Sequence, residues 1–139
     1  MKIEKLDHLH LYVKDLEKAM GRFEDLLGLE FSEIMEWKES GIIDSYAPPG
    51  LNLIQPTGNP QIDKFIEFKG EGLSGVSFKV SNIDEAISEL QSKGLKLITK
   101  VKVGDVTEAL FAPPEFFGVI LELCEYPGED IHAASKKKD

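Results

Sequence analysis

The chain has 139 residues, enough for one domain with its own core, with 42% apolar and 29% charged residues. Its 25 acidic residues outweigh 16 basic ones, for a net charge of -9. That balance argues against nucleic acid, whose phosphates need clustered Lys and Arg, and against anionic membranes. Cys124 is the single cysteine, so no internal disulfide forms. "MKIEKLDHLH" lacks the apolar run of a signal peptide, and no stretch reaches membrane-spanning length. The expectation is a protein of the reducing cytoplasm.

Hydrophobic period sets out the elements in chain order. "LDHLHLYV" alternates as a strand does. "DLEKAMGRFEDLLGL" then brings Leu16, Ala19, Met20, Phe23, Leu26 and Leu27 to helical spacing, with Asp15 as N-cap and Gly28 as stop. "EFSEIMEW", "GIIDSYAP" and "LNLIQP" read as short strands. "IDKFIEF", in the connector that follows, reads as a short amphipathic helix packed on the sheet. The order then restarts. "LSGVSFKV" is a strand, "NIDEAISELQSKG" a helix with Asn82 as cap and Gly94 as stop, and "LKLITKV", "VTEALFAP" and "GVILELCEY" are strands again. The tail "HAASKKKD" is polar and expected to fray.

"HLYVKDLEKA" aligns with "SFKVSNIDEA", and "YAPP" with "FAPP". The repeat predicts an α+β fold of paired βαβββ modules forming a curled mixed sheet around a cleft. A single domain then spans 1–139: module one about 3–56, connector 57–72, module two about 73–126 and a polar tail 127–139.

"LDHLHLYVKDLEKAMGRFEDLLGLEF", "NPQIDKFIEFKGEG" and "GVILELCEY" resemble the vicinal oxygen chelate (glyoxalase/bleomycin-resistance/dioxygenase) superfamily and, within it, the methylmalonyl-CoA epimerases. The likeness runs from about Lys5 to Tyr126. It implies a glyoxalase-like fold, a homodimer, and a divalent metal (Co, Zn, Mn, Ni or Fe(II)) held by side chains from both modules. Matched position by position, it implies His8 and Glu122 as ligands and Asn52 in place of the family's glutamine. Where the family has a further ligand histidine, "SGVS" puts Gly75, which has no side chain to ligate with.

His10 offers a replacement. His8 and His10 lie about 7 Å apart along one strand face, close enough to share an ion. With Glu122 they make two imidazoles and a carboxylate, a recurrent set for transition metals with open positions. The plainer reading has His10 lining a polar pocket. The same likeness implies Asp44, in "GIIDSYAPP", as the acid/base group, one methylene shorter than the family's glutamate. Asp44 and Tyr46 are expected on one strand face. Cys124 reads as a packed residue, Phe116, Phe117 and Trp37 as core or pocket wall, and His132 as solvent-exposed without a role. Glu33, Glu36 and Glu39 read as solvated, and "KVK" at 100–102 is the nearest approach to a phosphate-binding cluster.

The implied reaction is metal-assisted proton transfer next to a carbonyl, on a small molecule such as an acyl-CoA, with Asp44 and Glu122 as acid/base groups. Two alternatives stand beside it. One is a metal-free binding or resistance-type protein using the same cleft. The other is a metal-independent enzyme in which His8, His10 and Glu122 act as acid and base.

Overall fold

The structure, a computed structural model, describes residues 1–136. Elements follow the predicted order: β1 (Ile3–Tyr12), α1 (Leu16–Leu27), β2 (Met35–Trp37), β3 (Ile42–Ala47), β4 (Leu51–Pro56), α2 (Pro60–Lys69), β5 (Gly72–Val80), α3 (Ile83–Ser92), β6 (Leu97–Val103), β7 (Val106–Phe111), β8 (Ile120–Glu125) and α4 (Ile131–Ser135). The fold is α+β, and βαβββ occurs twice, with α2 as connector. Two compact units emerge, His8–Ser74 and Met1–Asp7 with Gly75 onward, so β1 contributes to both.

In the His8–Ser74 unit the strands run β2-β3-β4-β1, antiparallel except for the parallel β4–β1 pair. One face takes α1. Leu16, Val13 and Leu53 are buried there, and Ala19, Met20 and Phe23 pack with Leu11, Ile43 and Leu51. The helix starts where Asp15 accepts from the Lys18 N–H at 3.1 Å. It stops at Gly28, whose φ of 68° only glycine adopts cheaply, donating to Glu24 O at 2.9 Å. Leu26 and Leu27, counted on the apolar face by spacing, are instead exposed at the last turn.

The second unit repeats the plan as β5-β8-β7-β6, with a parallel β5–β8 pair. Its core packs α3 through Ile83, Ala86 and Ile87 onto Val80, Ala109, Phe111, Leu121 and Leu123. The repeat extends to single hydrogen bonds. In each module the helix's first N–H is accepted by a side chain of the last strand, Leu16 by Gln55 Oε1 at 2.8 Å and Ile83 by Glu125 Oε1 at 2.9 Å.

Three further expectations change. "EFSEIMEW" is a strand only over Met35–Trp37. Residues 131–135 of the polar tail form α4, capped by Asp130 and docked through Ala134 against Val106, Cys124 and Tyr126; residues 137–139 of that tail lie outside the described residues. Phe117 is 95% exposed, not core, whereas its neighbour Phe116 packs on the α3 core. Among the described residues no helix is long and apolar enough to cross a membrane.

Candidate metal and acid/base site

Cross-strand partners share a sheet face, so register assigns the site. His10 is opposite Asn52, Asn52 opposite Tyr46, and Asp44 opposite Ile54. With the period of two along each strand, His8, His10, Asn52, Tyr46 and Asp44 all project from the face away from α1. The predicted face sharing of Asp44 and Tyr46 holds.

The two histidines converge. Their Nε2 atoms are 2.8 Å apart, with ring centroids 4.7 Å apart, and the residues are 5% and 7% exposed. One Nε2 donates a hydrogen to the other. Tyr46 meets the His8 ring edge-on, with centroids 6.2 Å apart. Two nitrogens each about 2.1 Å from a shared ion, at a right angle, would lie about 3 Å apart. The spacing is therefore that of a hydrogen-bonded pair and also close to that of two ligands of one ion.

Asp44 is held from both sides of β3. Trp37 donates its indole N–H to Asp44 Oδ1 at 2.8 Å, and Asn52 donates Nδ2 to Asp44 Oδ2 at 3.1 Å. Neither bond follows from local sequence, because the β2–β3 and β3–β4 registers had to be known first. Asn52 thus presents its amide nitrogen to Asp44.

In the other unit Glu122 is 3% exposed, opposite Ser77 on β5 and Leu110 on β7. Gly75 and Cys124 share its sheet face. Cys124 is fully buried, 3.4 Å from the Ser77 hydroxyl, and burial pushes its thiol far above the usual range. That makes it packing, not a nucleophile. Sequence reasoning missed a buried cation nearby in this unit: Lys79 lies over the Tyr126 ring at 4.1 Å and donates to Gly128 O. Tyr126 in turn donates to Asp7. The only hint was a lysine inside the apolar run "SFKV". Lys100 of "KVK" is engaged with Asp84 at 2.6 Å, and His132 sits half-buried in α4.

The repeat makes these positions equivalent. Matching helix starts aligns His8 with Gly75 and His10 with Ser77, and matching the two helix-accepting side chains aligns Asn52 with Glu122. Each module therefore has a matched position on its first strand and one on its last: His8 and Asn52 in one, Gly75 and Glu122 in the other. Two imidazoles and a carboxylate, the side chains of His8, His10 and Glu122, are donor types that suit a divalent transition metal ion.

The sequence pattern of the Glyoxalase/Bleomycin resistance protein/Dioxygenase superfamily matches residues 7–111. A mitochondrial methylmalonyl-CoA epimerase of Mus musculus is 29% identical over 130 residues, covering 88% of this chain and 73% of that one. An uncharacterised Bacillus subtilis protein, YqjC, is 28% identical, covering 91% and 96%. The crystal structure of methylmalonyl-CoA epimerase from Mycobacterium tuberculosis superposes with a TM-score of 0.80 at 26% identity, covering 95% and 93%.

Proposed function

Because the chain belongs to the glyoxalase/bleomycin resistance protein/dioxygenase superfamily, we propose that it is a metal-assisted enzyme of the methylmalonyl-CoA epimerase type. It moves a proton on the carbon next to a carbonyl of a small acyl substrate, with an acyl-CoA as the first class to try. The carrying observation is the 2.8 Å convergence of two buried histidine nitrogens on a sheet face shared with a carboxylate, Asp44.

In this reading His8, His10 and Glu122 are the ligands, and Asn52 Oδ1 is the fourth donor. His10 takes the place that Gly75 leaves. Two imidazoles and a carboxylate suit Co, Zn, Mn, Ni or Fe(II) better than the all-oxygen preference of Ca or Mg. When bound, such a cation stabilises negative charge developing on a carbonyl oxygen. Asp44 removes or returns the α-proton. Glu122, besides ligating, is the second acid/base candidate, as a transfer between two faces of one carbon needs. A homodimer belongs to the same proposal and rests on the likeness alone, whereas a reducing cytoplasmic setting rests on the single cysteine.

The test is solvent deuterium entering the α-position of methylmalonyl-CoA. Asp44→Asn should slow that exchange by about 10²- to 10⁴-fold. Unaltered exchange in Asp44→Asn removes Asp44 as base. A metal-free reading draws on the same contact, since the two imidazoles already satisfy each other's Nε2. Full exchange after exhaustive chelation would favour it.

A further inference from the structure

Trp37 is the only tryptophan in the chain, and it stands at the end of the three-residue β2. Its indole N–H reaches across β2–β3 to Asp44 Oδ1 at 2.8 Å. From the strand on the other side of β3, Asn52 Nδ2 reaches Asp44 Oδ2 at 3.1 Å and the Ser45 carbonyl at 3.1 Å. One carboxylate is gripped from two strands, with one donor on each oxygen.

The chemistry of the donors fixes the arrangement. The Ser45 carbonyl only accepts, so the Asn52 atom facing it is the NH₂ group; turning the amide over would set its oxygen against a carbonyl and a carboxylate. An indole N–H only donates. Both grips therefore demand an acceptor at Asp44. A carboxylate has about four lone-pair sites, of which two are used here and two remain for a proton in transit.

We infer that Trp37 and Asn52 are positioning residues that lock the Asp44 carboxylate in one rotamer, as an acceptor at both oxygens, for proton transfer. The inference rests on the reading of Asp44 as base. A purely structural role also exists in principle, because the Trp37 bond pins a short edge strand, so the test needs a readout that edge pinning does not move.

With one tryptophan, a ¹⁵N-labelled chain gives one indole N–H resonance. In the wild type it should lie downfield of an exposed indole and exchange slowly with solvent. Asp44→Asn, nearly isosteric but less basic, should move it and speed its exchange. An indole resonance indifferent to Asp44→Asn overturns the grip. With methylmalonyl-CoA as probe, Trp37→Phe should lower kcat for α-proton exchange by about 10- to 100-fold, with KM within about twofold of wild type. Asn52→Ala also removes the proposed ligand oxygen, so the Asn52 half of the grip is read in metal-free protein: Asn52→Ala should shift the indole resonance, and Asn52→Gln, which keeps the donor, should shift it less. Wild-type kcat in Trp37→Phe overturns the positioning role even if the resonance moves. A wild-type chain that exchanges no deuterium overturns the proposed reaction instead, and the indole resonance still decides whether the grip exists.

Discussion

A histidine pair two residues apart on a strand is cheap to encode and demanding to bury. His8 and His10 are buried with their Nε2 atoms 2.8 Å apart, so each ring is a polar partner of the other. Removing either breaks that contact and, on the proposed ligand set, takes one nitrogen from the cation. His10→Ala should weaken Co or Zn binding at least 10-fold, read by competition against a chromogenic chelator, while His132→Ala leaves it unchanged. Equal affinity in His10→Ala would return His10 to the role of pocket lining. Cys124 makes the opposite prediction. Its buried thiol stays protonated at neutral pH, so iodoacetamide should leave the native chain unlabelled and label it fully in denaturant. Rapid native labelling would contradict the packing. At this scale the pairing of His8 with His10 was legible, because strand period alone sets it. The partners of Asp44 were not, because Trp37 meets it through the register between two strands, a non-local quantity.

Elements whose signals are local were read almost to the residue. Asp15 and Asn82, both read as caps, each accept an N–H of the first turn of their helices at 3.1 Å, and Asn59, not singled out beforehand, does the same for α2 at 3.0 Å. Asp15→Ala should cost about 1 kcal/mol in denaturant unfolding, and Asn82→Ala about the same, with little effect on metal binding. No loss of stability in either would mean that packing alone starts these helices. The edge elements were harder. β2 keeps only Met35–Trp37 of the eight residues read as strand, and α4 has five residues, too few to show a helical period. What orders α4 is tertiary: the buried Ala134 set among Val106, Cys124 and Tyr126.

For the molecule as a whole, duplication is the organising fact. Two βαβββ modules close each helix start with a side chain from their own last strand, Gln55 in one and Glu125 in the other. That correspondence equates Asn52 with Glu122 and His8 with Gly75, so the repeat sets which positions match while the residues at them have diverged. Sequence reading reached the fold because the repeat and the apolar period agree at every level. It reached less of the reaction, since one scaffold of this kind serves many chemistries and the site decides among them.

The central claim is that His8, His10 and Glu122 hold a divalent cation, and metal retention tests it most directly. Tag-free protein is offered Co, Zn, Mn, Ni and Fe(II) in turn, dialysed, and analysed for metal. Near-stoichiometric retention of at least one ion by the wild type, lost in His10→Ala and in Glu122→Gln, is the predicted result. A wild-type chain that retains none of the five contradicts it.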